Sequence, residues 1–90
     1  MNDDSVPRHR PDVLVDSLDD ELLLYHPAAE KAVYLNETAF LVWRLCDGRR
    51  SRATIIGLLA DAFPEAAPSI AQEVTTTLQR LADHGVIDFD

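Results

Sequence analysis

The sequence lacks several features that particular functions require. It has one cysteine, Cys46, so neither an intramolecular disulfide nor a multi-thiolate metal site can form. Its three glycines, Gly48, Gly57 and Gly85, are too widely spaced for a glycine-rich phosphate loop. No stretch reaches the roughly 18 apolar residues of a membrane span, and the charged, proline-containing start is unlike a secretory signal. We therefore expect a cytoplasmic protein that binds no membrane.

Basic side chains are also scarce. Eight lysines and arginines stand against 16 aspartates and glutamates, which gives a formal net charge of -8. Such a chain repels a phosphate backbone, so nucleic-acid binding is disfavoured. Four arginines nevertheless cluster around one turn and leave DNA binding open as an alternative: Arg44, Arg49, Arg50 and Arg52. The other interpretation of this cluster is a solvated loop whose cations stabilise a helix C-terminus.

Groups that could perform catalysis or bind a metal are dispersed. Cys46 falls within the most apolar predicted helix, where a free thiol is normally buried. His9, His26 and His84 have no second ligand at metal-site spacing, and we expect them to be solvated surface residues. With 90 residues the chain is long enough for one domain only. We therefore expect no enzyme, no metal and no other cofactor.

The first half of the chain has a strand pattern. Residues 1–12 contain few apolar side chains, so we expect a flexible N-terminal arm before a single domain over residues 13–90. Three β-prone runs follow, with a turn over residues 16–20 between the first two: residues 13–15, Glu21–His26 and Lys31–Leu35. The loop between the last two runs fits a hairpin. The pattern predicts a three-stranded antiparallel sheet.

The second half has helical periodicity. Each of three predicted helices has a capping residue at its start and a glycine or proline after its end: Asn36 and Gly48, Ser51 and Pro64, and Ser69 and Gly85. Ser69 with Gln72 also fits a capping box. Residues 86–89 fit either a last strand or an apolar plug. A three-stranded antiparallel sheet followed by three helices, two of them joined by a tight turn, predicts an α+β, winged-helix-like domain.

The strand Lys31–Leu35 bears most directly on function. In a three-stranded meander it lies at an edge, where main-chain groups, which we expect to include the N–H of Val33, lack partners. Residues 32–35 contain no proline, glycine or charge that would block an added strand. Two interpretations remain open: the edge accepts a peptide, or the third helix or the termini cover it.

A succession of residues here resembles a known family. The stretch is LLLYHPAAEKAVYLNETAFLVWRLCDG, followed by an isoleucine- and leucine-rich helix and by Val74, Leu78, Leu81 and Gly85. Its most specific part is Leu35-Asn36 followed by Thr38-Ala39, Trp43, and Asp47-Gly48 followed by Ser51. The succession is similar to the PqqD family of peptide chaperones, also called RiPP recognition elements, which serve ribosomally made and modified peptides.

The resemblance implies a winged-helix-like, non-catalytic module that binds the leader of a precursor peptide by strand addition. Carried over by position, the strand comprises Lys31, Ala32, Val33, Tyr34 and Leu35. The cleft wall is some subset of Val74, Thr77, Leu78 and Leu81, of which Val74, Leu78 and Leu81 fit a core role at least as well.

The partners follow from the same resemblance. It implies that the module presents the precursor to a maturation enzyme, such as a radical SAM enzyme or a leader peptidase. An unoccupied edge can also pair with a second copy of the chain, which would give a homodimer. The alternative is a winged-helix transcriptional regulator that binds DNA through the arginine-rich turn.

Overall fold

A computed structural model describes residues 2–18, 21–26 and 31–89. Within these residues the chain forms five strands and three α-helices. In chain order they are β1 (Pro7–His9), β2 (Leu14–Leu18), β3 (Glu21–His26), β4 (Lys31–Leu35), α1 (Glu37–Leu45), α2 (Arg52–Ala62), α3 (Ala67–Asp83) and β5 (Ile87–Phe89). A 3-10 turn, Pro64–Ala66, leads directly into α3.

The main sheet is antiparallel with the order β2-β3-β4. On the central strand, Leu23 lies opposite Tyr34 of β4 and opposite Asp16 of β2. The predicted three-stranded sheet followed by helices is therefore confirmed, and β4 is an edge strand. The turn expected over residues 16–20 is wrong for residues 16–18, which continue β2 because they pair with residues 21–23. Residues 19, 20 and 27–30 lie outside the described residues.

A second, two-stranded sheet joins the two ends of the chain. β1 pairs antiparallel with β5, with Arg8 opposite Asp88. The expectation of a flexible arm over residues 1–12 is therefore wrong for Pro7–His9, and residues 87–89 form a strand rather than a plug. Pro7 is fully buried. Local composition does not reveal this strand, because its partner lies about 80 residues later in the sequence.

Each of the three helices contributes buried residues to one core, which they share with the inner face of the main sheet. The core combines Leu24, Val33 and Leu35 of the sheet with residues from all three helices and from the C-terminal end: Ala39, Val42, Cys46, Ile55, Leu59, Ile70, Val74, Leu78, Leu81, Val86 and Ile87. Within the described residues, none of the three helices has the length and apolar content needed to cross a bilayer.

Two of the predicted helix caps are present. The Asn36 side chain accepts a hydrogen bond from the Ala39 N–H at 2.8 Å, which fixes the start of α1 directly after β4. Ser51 accepts from the Thr54 N–H at 3.2 Å at the start of α2. Strand and helix are thus joined through a single capping residue, and this junction borders the site described below.

The start of α3 differs from the prediction. The helix begins at Ala67 rather than after Ser69, and the Ser69 hydroxyl donates to the Ala66 carbonyl instead of forming a capping box. The reason is that the 3-10 turn continues into the helix and that Pro68 occupies the first helical turn, where a missing N–H has no cost. The predicted end is confirmed, because Gly85 adopts φ +71° after the last helical residue.

Candidate functional site

β4 has a strand partner on one side only among the described residues. On its other side, the Tyr34 carbonyl accepts a hydrogen bond from Nη2 of Arg80 on α3, at 3.0 Å. This carbonyl therefore points away from β3. Because inward and outward residues alternate along an antiparallel ladder, Ala32 also directs its N–H and C=O outward, whereas Val33 and Leu35 direct theirs to β3.

The side chains of β4 alternate in the same way. Val33 and Leu35 are 2% and 1% exposed and belong to the core, whereas Ala32 and Tyr34 are exposed on the outer face of the sheet. The expectation that Val33 offers its N–H to a guest strand is therefore wrong, because the register assigns that group to β3. Within β4 as the structure describes it, Ala32 and Tyr34 are the residues whose main-chain groups face away from β3.

A groove of about 440 Å³ lies beside this edge, between the start of α1 and the outward face of α3. Its lining is mostly polar and includes Asn36 and Thr38 from the junction after β4. From α3 it includes Glu73, Thr77 and Arg80. The volume lies in the range of sites that hold a small ligand or a few side chains. We call this groove the edge groove, because it adjoins β4 at two of its lining residues: Asn36 follows the strand directly, and Arg80 bonds the Tyr34 carbonyl.

The predicted cleft wall is divided between the edge groove and the core. Thr77 lines the groove. Val74, Leu78 and Leu81 are fully buried, so their side chains lie in the core and not in the groove wall. Their spacing of four and three residues is the inner stripe of an amphipathic helix.

Sequence reasoning assigned only Thr77 correctly to the groove and missed the other α3 residues that line it, which are Ser69, Gln72, Glu73, Thr76 and Arg80. They share one helical face with Thr77, at spacings of three and four residues beside the apolar stripe. A helical projection would have shown this polar face. It could not have shown that the face lies beside β4, because that depends on how α3 packs.

The arginine cluster is largely used within the chain. Arg50 binds Asp47 at 2.6 Å, and Arg52 binds Asp3 and the Thr75 hydroxyl, the latter at 2.7 Å. The guanidinium of Arg44 lies over the Phe40 ring, 5.7 Å from its centroid. These contacts favour the interpretation of a solvated, self-paired loop, and the DNA-binding alternative gains no support.

The thiol of Cys46 is not placed to act as a nucleophile. Cys46 is buried and donates to the Val42 carbonyl, and burial raises the pKa of its thiol to about 12. It is therefore a neutral thiol near pH 7. Among the described residues, no group of three or more histidine, cysteine, aspartate or glutamate side chains is placed to hold a metal ion.

The three histidines make contacts within the chain, which the sequence did not indicate. His26 is 6% exposed, so the expectation of a solvated side chain is wrong for it, and its Nε2 lies 2.6 Å from Oδ2 of Asp12. This hydrogen bond holds the pKa of Asp12 below its ordinary value. His9 is half-buried and stacks on Trp43, with ring centroids 4.0 Å apart. His84 contacts the Arg80 carbonyl at 2.8 Å.

Comparison with protein families identifies the chain. The family model described as "Coenzyme PQQ synthesis protein D (PqqD)" matches residues 21–87, which is 67 of the 90 residues. The chain belongs to the PqqD family. The matched range includes β3, β4, α1, α2 and α3, and therefore both sides of the edge groove. The residues that form β1 lie outside this match.

Two curated relatives of this PqqD-family chain are named "PqqA binding protein". The relative from Rhodopseudomonas palustris (strain TIE-1) is 37% identical over 60 residues, which cover 67% of this chain and 59% of the relative. The relative from Pseudomonas paraeruginosa (strain DSM 24068 / PA7) is 39% identical over 61 residues, covering 68% and 62%. The chain thus spans about three fifths of the length of the curated relatives it matches.

Two solved structures share the fold. "TbiB1 in Complex with the TbiA(beta) Leader Peptide" superposes with a TM-score of 0.74 at 17% identity, over 90% of this chain and 94% of that one. "Lasso peptide synthetase B1 complexed with the leader peptide" gives 0.75 at 19% identity, over 92% and 98%. The PqqD-family chain therefore has the architecture of these two leader-peptide-binding proteins.

Proposed function

We propose that this PqqD-family chain is a non-catalytic module that binds the leader of a ribosomally synthesised precursor peptide by adding it as a strand to β4. The observation that carries the proposal is the outward-facing edge of β4 at Ala32 and Tyr34, which adjoins the edge groove. The names of the curated relatives and the leader peptides bound to the structural neighbours support it.

Main-chain pairing contributes only part of the affinity. Ala32 and Tyr34 offer two N–H and two C=O groups, and each hydrogen bond contributes about 1 kcal/mol net. Ordering a flexible peptide costs roughly 2–5 kcal/mol, which offsets most of that contribution. The side chains of the edge groove must therefore supply the remaining affinity, and with it the sequence selectivity.

The module acts by presenting the bound precursor to a maturation enzyme, such as a radical SAM enzyme or a leader peptidase. The buried, neutral Cys46 supports a role without catalysis, since a cysteine nucleophile must be an accessible thiolate. An edge that binds one extended peptide can hold the leader while the rest of the precursor extends away from β4.

The proposal is tested by titrating the ¹⁵N-labelled chain with a synthetic leader segment of PqqA, the ligand in the names of the two curated relatives. We expect amide shifts and slowed hydrogen exchange at Ala32 and Tyr34, together with shifts at Thr77 and its neighbours on α3. Duplex DNA serves as the comparison ligand. Shifts confined to residues 49–52 on adding DNA, with none on β4 from the leader, would contradict leader binding.

A further inference from the structure

Arg80 stands where the edge of β4 meets the edge groove. Its side chain is exposed, and its one hydrogen bond within the described part of the chain goes to the main-chain carbonyl of Tyr34. The arginines of the α1–α2 turn behave differently, because Arg50 and Arg52 bind carboxylates of the chain itself. A guanidinium has five N–H donors, so most of the donors of Arg80 remain for a ligand.

An added strand competes with Arg80 for the same acceptor. The outward carbonyl of Tyr34 is one of the groups that a strand paired with β4 would bond through its own N–H. The guanidinium must then share this oxygen or leave it. Arg80 is exposed, so water can accept its hydrogen bonds, but an acceptor on the bound peptide would lie beside a guanidinium that is already positioned at this edge and is charged at every physiological pH. A carboxylate is the best acceptor, because it can receive two parallel N–H bonds.

We propose that Arg80 is a specificity-determining residue that binds one acidic side chain of the leader, next to the leader residue paired with Tyr34. This inference rests on the proposed leader binding. In the free protein Arg80 donates a hydrogen bond to the Tyr34 carbonyl, and in the complex it donates to a carboxylate of the leader. The site thus selects an extended peptide with Asp or Glu at a fixed position.

The rest of the edge groove limits this preference to one position. Glu73 lies seven residues before Arg80 on the same face of α3, about 10.5 Å away along the helix at 1.5 Å per residue. A second acidic side chain there would meet a like charge. The net charge of -8 also repels acidic peptides as a class. A preference for a single acidic position can therefore arise only from a local contact.

The test selects a displayed library of random linear peptides against the full-length wild-type chain, Arg80→Gln and Arg49→Gln. Arg49→Gln is the matched control, because it makes the same change in net charge at an exposed arginine away from the edge groove. We expect wild type and Arg49→Gln to enrich peptides with Asp or Glu at one fixed position. We expect Arg80→Gln to lose that preference.

A double-mutant cycle then measures the contact with one enriched peptide. Replacing its acidic residue by the corresponding amide should weaken binding to wild type and to Arg49→Gln about tenfold, or about 1.4 kcal/mol. The same replacement should change binding to Arg80→Gln less than about twofold, since the partner is already absent.

The outcomes separate this inference from the proposed function. Selected peptides that shift the amides of Ala32 and Tyr34 but share no acidic position would overturn the role of Arg80 and leave strand addition intact. An equal loss of affinity for wild type and Arg80→Gln on amide replacement would do the same. If no peptide selected by wild type shifts those amides, strand addition fails, and the role of Arg80 fails with it.

Discussion

The two edges of the main sheet differ in what stands beside them. β2 and β4 both pair with β3 and both end the sheet. At β4, α3 approaches closely enough for Arg80 to bond the Tyr34 carbonyl, and a groove lies beside the edge. At β2, Leu14 and Val15 are 59% and 50% exposed. The strand there leads back to the N-terminal segment, which is held against α2 through Asp3.

We infer from this comparison that an unpaired edge does not by itself make a selective peptide site. Both edges offer main-chain groups, and main-chain groups do not distinguish one peptide sequence from another. The helical wall beside β4 adds polar side chains at defined distances from the strand, and these can select a sequence. The predictions below test separate roles for α3, for the edge of β4 and for the residues that hold these elements in place.

The largest effect is expected from weakening the packing of α3 against the core. Leu78 is fully buried on the inner face of α3, and Leu78→Ala should lower the free energy of unfolding by about 2–5 kcal/mol. Thr77, the next residue back, lines the edge groove, so Thr77→Ala should change it by less than about 0.5 kcal/mol. Urea unfolding of both variants measures the difference. Similar losses in the two variants would mean that Thr77 is a core residue.

The division of α3 into an inner and an outer face shows what the sequence could and could not predict. The sheet order was predictable because consecutive strands joined by short loops pair locally. The core stripe of α3 follows from its periodicity, but the assignment of Val74, Leu78 and Leu81 to a cleft did not separate that stripe from the polar face beside it. Which face meets β4 depends on tertiary packing, which periodicity does not encode.

The same limit explains the missed N-terminal strand. Pro7–His9 have a weak local strand signal, and their order depends on pairing with Ile87–Phe89 at the other end of the chain. The direction of the β4 main-chain groups was also inaccessible, because it depends on a one-residue choice of register. In the structure, the bond from Arg80 to the Tyr34 carbonyl shows that Tyr34 faces away from β3. The outward N–H groups therefore belong to Ala32 and Tyr34 and not to Val33.

The second prediction compares proline substitutions on the two edges. Ala32 directs its N–H outward on β4, so Ala32→Pro removes a donor from the proposed leader site without removing a bond of the sheet. On β2, alternation directs the N–H of Val15 outward as well, because Asp16 lies opposite Leu23, which faces β2. Val15→Pro is therefore the matched change on an edge without the groove.

Calorimetric titration with the leader measures both proline variants. We expect Ala32→Pro to weaken binding by about 1–3 kcal/mol, the cost of leaving a peptide carbonyl without its partner. Val15→Pro should bind as wild type does. If Val15→Pro loses leader binding while circular dichroism shows an intact fold, the leader binds at β2, and our assignment of the leader to β4 is wrong.

The third prediction concerns Gly85, which ends α3. Gly85 has φ +71°, and a Cβ built on it would lie 3.1 Å from Nδ1 of His26 on β3. Gly85→Ala should therefore lower the free energy of unfolding by about 1–2 kcal/mol, the cost of a left-handed backbone for a residue with a side chain. Gly57 on α2 has open space and helical geometry, so Gly57→Ala should raise it by about 0.5–1 kcal/mol. Thermal unfolding that moves both variants in the same direction would contradict this account.

The smallest effect is expected on the β2 side, where Asp12 leads into β2 and accepts a hydrogen bond from His26. That bond lowers the pKa of Asp12 from the ordinary 3.8, so it stabilises the fold above this pH and the contribution is lost as the pH falls through the lowered value.

Asp12→Asn lacks the contribution at every pH. Its stability deficit relative to wild type should therefore be present at neutral pH and shrink below about pH 4. The carboxylate is about half exposed, so salt should reduce the deficit. Leader affinity should be the same in wild type and Asp12→Asn, because we propose that the peptide binds at β4, on the other side of the sheet. A deficit that grows in acid would reverse the sign of the interaction assigned to Asp12 and His26.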